Sequence, residues 1–375
     1  MNCNRMKRLI PVLVLFMLFA SCKKSETGSM WEKAYGTGEA FFVGTTPDSG
    51  IIACGQEKNY PYLLRLDKSK KIILDFESDE PGLFSSVWFD TSGYVTGGNC
   101  EGQMSLMRYS TGGNMLWEKE FDTDFRIDYT NLIYEGNGAL LAIGTANPDS
   151  AESESAGLLF VRFDTTGQVI NKKQISGAVF NDYTDPDFIA ANKFTLDNNG
   201  NIYLALTTNI SGGKPKACVA KFSSLFQLLW KTEIFNNPGY GSSSKAVITD
   251  GSGNVYVAGK TQITSNNGIL NNSFLASVNN SGSVRWKNYL ENSNEGSSLI
   301  FDESQNILML NRNCFIIDKK DSGNNVDAEI LRTFSACVSE TTDAFGTDLV
   351  INYDKNIVLA GSYGGNFYLA LKSLQ

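Results

Sequence analysis

One strand of this chain stands at the opposite end from the strands it belongs with, and that displacement limits the folds open to it. A four-strand pattern recurs along the sequence. Its plainest copy runs Ala246-Val-Ile-Thr-Asp-Gly-Ser-Gly-Asn-Val-Tyr-Val-Ala-Gly259, then Ser273-Phe-Leu-Ala-Ser-Val-Asn-Asn-Ser-Gly-Ser-Val-Arg-Trp-Lys-Asn-Tyr289. The last copy begins near Leu349 and reaches Leu374-Gln375 after three strands. A fourth strand bearing Trp and Lys appears instead as Trp31-Glu-Lys-Ala-Tyr-Gly36. Pairing residues 31–35 with residues 367–372 would complete that copy and close a ring, leaving no open sheet edge.

The second strand of each copy is the easiest to align. These strands read Gly50-Ile-Ile-Ala-Cys-Gly55, Gly93-Tyr-Val-Thr-Gly-Gly98, Gly138-Ala-Leu-Leu-Ala-Ile-Gly144, Asn201-Ile-Tyr-Leu-Ala-Leu206, Asn254-Val-Tyr-Val-Ala-Gly259, Asn306-Ile-Leu-Met-Leu310 and Asn356-Ile-Val-Leu-Ala-Gly361. Such near-continuous apolar runs suit strands covered on both faces. The Asp, Asn, Ser and Gly residues before them tolerate the left-handed backbone of tight hairpins. No helix-period segment of useful length follows the first thirty residues. Seven copies about fifty residues apart predict an all-β, seven-bladed β-propeller of four-stranded blades over residues 31–375, a monomer by this reading.

The N-terminus carries a different message. Arg5, Lys7 and Arg8 precede an apolar run from Leu9 to Leu18, the pattern of a secretory signal over residues 1–21. Ala20-Ser21-Cys22 resembles the lipobox of bacterial lipoproteins, with Phe19 where that box usually has Leu. The resemblance implies lipidation of Cys22, with residues 22–30 as a tether and the outer membrane as the destination. Lys23 is not the Asp of an inner-membrane retention signal. Membrane attachment is expected through that lipid anchor alone.

Removing the signal shifts the formal charge from -8 to -11. An acidic, aromatic-rich chain is a poor match for phosphate backbones, so nucleic acid is not an expected partner. The sequence contains no histidine, which excludes Ser-His-Asp and Cys-His catalysis and His-ligated metal. Carboxylate chemistry and oxygen-ligated calcium survive that exclusion. Of the mature cysteines beyond Cys22, Cys314 and Cys337 fall near facing strand ends and either bridge or remain free thiols.

Gly113-Asn-Met-Leu-Trp117 and Gly282-Ser-Val-Arg-Trp286 resemble the Gly-x-x-x-Trp docking motif of bacterial propeller repeats, including the quinoprotein-like group. That resemblance implies blade packing for Trp31, Trp117, Trp230 and Trp286, with Trp88 in the core or near the channel. Quinoprotein enzymes use adjacent cysteines and calcium. No adjacent pair exists here, so no cofactor is expected. Asp197-Asn-Asn-Gly-Asn201 and residues 321–327 lack the spacing of calcium loops and read as hairpin turns, leaving no metal site.

The insertions give the functional clue. Antiparallel order puts the strand 2–3 loops (residues 145–157, 207–217 and 260–273) and the connections 177–187, 236–243 and 339–346 on one face. The other face carries mostly tight turns. Acidic side chains dominate the long-loop face, interleaved with Tyr60, Phe125, Tyr129, Phe180, Tyr183, Tyr240 and Tyr363. Loops on a rigid scaffold commonly carry binding. The expected contacts are Tyr183, Asp182, Asp185, Tyr240 and Arg126, on a module that binds or scaffolds a protein or a glycan. The alternative is a carboxylate-dependent glycosidase or lyase with acids converging at the channel mouth.

Overall fold

The computed structural model describes residues 29–136, 138–145, 157–176, 188–209, 214–235, 241–265, 268–290, 297–310, 313–318, 329–335 and 344–373. Strand β1 (Ser29–Thr45) is shared between two blades. Its first part pairs with β27 (Asn366–Ser373), Trp31 opposite Leu371 and Tyr35 opposite Phe367. Its second part pairs with β2 (Ile51–Glu57), Val43 opposite Ala53. The expected closure is therefore present, and it runs into the first blade without a loop. Glycine makes that switch possible: a Cβ on Gly38 would lie 1.9 Å from the Gln56 carbonyl oxygen.

Blade 1 continues through β3 (Tyr60–Leu66) and β4 (Ile72–Glu77). Blade 2 is β5 (Gly82–Asp90), β6 (Gly93–Cys100), β7 (Gln103–Ser110) and β8 (Met115–Phe121). Blade 3 is β9 (Tyr129–Gly136), β10 (Ala139–Thr145), β11 (Gly157–Asp164) and β12 (Val169–Ser176). Blade 4 is β13 (Phe188–Leu196), β14 (Ile202–Asn209), β15 (Lys216–Phe222) and β16 (Leu228–Glu233). Blade 5 is β17 (Ser242–Thr249), β18 (Val255–Ser265), β19 (Gly268–Val278) and β20 (Val284–Leu290). Blade 6 is β21 (Ser298–Phe301), β22 (Ile307–Leu310), β23 (Asn313–Asp318) and β24 (Glu329–Ser335). Blade 7 is β25 (Ala344–Ile351), β26 (Asn356–Tyr363), β27 and the first part of β1. The innermost strands touch in ring order and return from β25 to β1.

Period-2 alternation explains why the second strands are apolar throughout. Ile51 and Ala53 pack toward blade 7, whereas Ile52 and Cys54 pack toward blade 2. Each seam between neighbouring blades holds its own cluster of buried side chains, seven among the described residues. Cys54, Cys100 and Cys218 are buried free thiols in this packing. The side chains of Cys314 and Cys337 lie outside the described residues.

The docking motif works across seams. Trp117 on β8 donates its indole N–H to the Thr165 carbonyl at 3.3 Å, and Gly167 of blade 3 sits on its ring. Trp230 on β16 repeats this with the Asn280 carbonyl at 3.0 Å and Gly282 of blade 5. A Cβ on either glycine would stand 3.0 Å from the indole. At the seam between blades 3 and 4 both partners are exchanged. Asn171 occupies the tryptophan register position opposite Arg162, and Phe226 replaces the turn glycine at φ 61°. The Phe226 ring, fully buried, fills the vacated space by stacking on Phe160 with centroids 5.0 Å apart. The Arg162 guanidinium covers it at 4.8 Å. Trp88 is half-buried, packs between blades 2 and 3, and stacks on Tyr134 at 5.1 Å.

Turn chemistry on the tight-turn face is also repetitive. Asp250 accepts hydrogen bonds from the backbone N–H groups of Ser252 and Asn254, the Asn254 amide and the Tyr256 hydroxyl. Asp197 does the same with Asn199, Asn201 and Tyr203. Burial opposes ionisation at both, yet these bonds hold each carboxyl below its usual range. These loops are hairpin turns, as the sequence indicates; residues 321–327 lie outside the described residues.

Candidate functional site

The third strands of blades 1 to 4 carry a cation near their ends that first invites a functional reading: Arg65, Arg108, Arg162 and Lys221. Each instead pairs with an acid of its own blade. Arg65 meets Asp48 at 2.7 Å, Arg108 meets Asp90 at 3.1 Å, and Arg162 meets Glu135 at 2.6 Å. Arg65 and Arg162 also reach the next blade, through the Tyr94 hydroxyl and the Ser224 carbonyl. These cations staple the tight-turn face and are occupied in doing so.

The channel is crossed by a charge pair. Lys193 on β13 meets Asp348 on β25, from blades that are not neighbours in the ring. Ser298 donates to the same carboxylate at 2.7 Å and the Val43 N–H at 3.1 Å, so Asp348 accepts from three donors on three different strands. Among the described residues, this axial acid is therefore committed to holding strands together. The reading of acids converging at the channel mouth gains nothing from it.

The long-loop face is more open. Arg126, in the connection between blades 2 and 3, has a side chain 69% exposed and bonds Asp128 through Nε at 2.6 Å. The Ile127 N–H donates to the Gly102 carbonyl at 2.7 Å, and the Asp128 N–H to the Thr145 carbonyl at 2.8 Å. These bonds fix the segment that carries Arg126. Phe125 does not join the surface, contrary to expectation: it is buried under Gly157, where a Cβ would lie 2.5 Å from its ring. The apolar ring gains more from the seam between blades 2 and 3 than from solvent. Tyr129 meets Phe41 edge-on at 5.9 Å, and Tyr363 is exposed.

Beside Arg126 lies a cleft of about 630 Å³ lined by Glu80, Pro81, Cys100, Glu101, Glu118 and Glu120. Burial, then the charges of Glu120 and Glu80, raise the Glu118 carboxyl above its usual range. Burial and the Glu80 hydrogen bond push the Cys100 thiol up to about 11, which leaves it protonated and unreactive at neutral pH. The cleft draws on a connection, a strand 2–3 turn and an outer strand, so sequence order gives little sign of it. No group of three or more His, Cys, Asp or Glu side chains among the described residues could hold a metal.

Blade 5 corrects another expectation. Residues 260–273 do not form an irregular loop: β18 and β19 stay paired from Val255 opposite Val278 to Ser265 opposite Gly268. A hairpin therefore projects beyond the blade. Its base is tied to the connection from blade 4, where the Gln262 N–H donates to the Gly241 carbonyl at 2.9 Å. The Ser242 N–H reaches the Pro215 carbonyl at 2.8 Å. Tyr240, like Tyr183, Asp182 and Asp185, lies outside the described residues. Arg126 is the one expected contact that the structure places.

Near the same face, Glu39 on β1 is half-buried, and burial pushes its carboxyl up to about 7. A raised folded value means that Glu39 favours the fold when protonated. That contribution is complete below the unfolded value near 4.5 and is lost as pH rises through about 7. Glu39→Gln is expected to raise stability at pH 8 by roughly 1–2 kcal/mol, allowing for partial exposure, and to change little at pH 4. Urea titrations of both proteins at the two pH values measure this; equal gains at both would contradict it.

No family model matches the chain, and no curated protein does. Solved structures do. The Neurospora crassa Pan2 WD40 domain is similar at a TM-score of 0.59 and 12% identity, with 93% of this chain and 95% of that one covered. The polysaccharide lyase Uly1 follows at 0.56 and 10%, covering 92% and 91%. YCF48 bound to D1 peptide is similar at 0.54 and 10%, covering 92% and 95%. At such identities the likeness is one of fold. With seven four-stranded blades closed through β1, the chain is a β-propeller protein.

Proposed function

We propose that this chain is an envelope-anchored lipoprotein whose propeller binds or scaffolds a partner on its long-loop face. The observation that carries the reading is the asymmetry of the two faces. Among the described residues, turns on one are short and internally bonded, whereas the other carries the blade 5 hairpin, the Arg126 segment and the acidic cleft. The Gly-x-x-x-Trp pairs support a place among docking-tryptophan propeller repeats, and Ala20-Ser21-Cys22 supports lipidation and the outer membrane. Similar propellers have been solved with protein partners, BBS1N in complex with ARL6DN and YCF48 with a D1 peptide. The carboxylates favour a cationic protein surface or a hydroxyl-rich glycan, since both supply donors.

Two measurements test this. Tyr183→Ala/Tyr240→Ala is expected to lower recovery of bound partner at least tenfold in pull-downs or on a glycan array, with the thermal melt unchanged. Retained binding, combined with loss on altering the opposite face, would assign the wrong side. Cys22→Ser is expected to move the protein from the salt-washed membrane fraction to the soluble one; unchanged recovery in salt-washed membranes would reject the anchor.

A further inference from the structure

The outer strands of four successive blades expose an apolar side chain at one repeat position. Ile73, Leu116, Ile170 and Leu229 each immediately precede the docking position and are 48, 56, 57 and 52% exposed. In blade 7 the residue at the same sequence position, before Trp31, is Met30. Every fourth strand starts at the tight-turn face, so the chain leading back to Cys22 leaves the domain at the rim where these side chains stand.

Isolated exposed apolar residues need no explanation, but recurrence at one position over four blades marks a surface with a partner. Three features specify that partner. Only residues 23–28 separate Cys22 from β1, a reach of about 24 Å from Cys22 to Ser29 at full extension. Lys68, Lys70 and Lys71 lie in the turn before β4, beside Ile73, while Asp67 is occupied in accepting the Ser69 and Lys71 N–H groups. Tyr353, 61% exposed, projects from the turn before β26 in the blade where the tether leaves. Aliphatic side chains, lysines and a tyrosine at one level match the interfacial zone of a bilayer with anionic headgroups.

We infer that the tight-turn face seats itself on the lipid surface, its rim of apolar side chains among the headgroups and its long-loop face turned outward. The inference rests on the anchored reading for its tether geometry, yet the surface affinity it requires belongs to the folded domain. It can therefore be measured without the anchor. The test is flotation of the mature Cys22→Ser chain with vesicles of phosphatidylethanolamine and phosphatidylglycerol.

A salt-sensitive fraction of that chain is expected to float. Adding Ile73→Ser, Leu116→Ser, Ile170→Ser and Leu229→Ser is expected to weaken partitioning at least tenfold with an unaltered melt, since all four side chains are exposed. Tyr289→Ser/Tyr363→Ser, on the far side, is expected to change nothing. Equal flotation of the fourfold variant, or none by its parent, would overturn the inference. Fractionation of the unaltered protein separates the two readings: a membrane-bound protein whose Cys22→Ser form does not float sinks the seating alone. A floating Cys22→Ser form of a protein that fractionates as soluble sinks the anchor alone.

Discussion

Deleting residues 29–36 is expected to remove most of the stability of the ring. That segment supplies the outermost strand of blade 7, and Trp31 and Tyr35 cover Phe367, Leu369 and Leu371. The Tyr368 hydroxyl bonds Glu32 at 2.9 Å. Two aromatic side chains at about 2–3 kcal/mol each, with half a dozen ladder hydrogen bonds at about 1 kcal/mol each, total roughly 10 kcal/mol. That is comparable with the whole stability of a typical domain. The shortened chain should lose its cooperative melt or aggregate through the bared edge of β27, read by circular dichroism and light scattering. A peptide of residues 28–36 added in trans should partly restore it. An unchanged melt would mean that β1 contributes nothing to closure.

Phe226→Gly is expected to be the most damaging single change in the seam between blades 3 and 4. Removing a fully buried phenylalanine ring costs about 3–5 kcal/mol, and relief of the left-handed backbone returns about 1. The informative variant is the pair with Asn171→Trp, which recreates the arrangement at Trp117–Gly167 and Trp230–Gly282. The double variant should recover at least half of the loss, a coupling of roughly 1.5 kcal/mol or more in urea unfolding. Additive destabilisation would show that Asn171 and Phe226 do not share one space.

These two seams mark the boundary of what the sequence discloses. Closure was legible because Trp31-Glu-Lys repeats the outer-strand pattern and because apolar runs alternating with turn residues leave one assembly. The docking exchange was not, since Asn171 reads as a lost motif and nothing adjacent announces that Phe226 replaces it from the next blade. The blade 5 hairpin could have been read from Ser265-Asn-Asn-Gly268, a turn signal inside what resembled an insertion. The Lys193–Asp348 pair and the Glu80–Glu118–Glu120 cleft depend on segments brought together by ring curvature, which local pattern does not encode. Arg126, an expected contact, was placed by its position in a blade connection, whereas Phe125, expected only among the aromatic side chains of that face, was misassigned because a connection can dip into a seam.

The shared strand β1 also sets an order of events. Tyr368 and Glu32 are 336 residues apart, so the ladder that closes the ring is among the most non-local contacts of the chain. Loop-closure entropy makes such contacts slow to form, and the remaining blades can condense before the ends meet. Until then Trp31 and the edge of β27 have no covering, and two incomplete molecules could exchange their first strands in place of closing their own. Refolding should therefore show a late phase, reported by Trp31, whose yield of monomer falls as protein concentration rises.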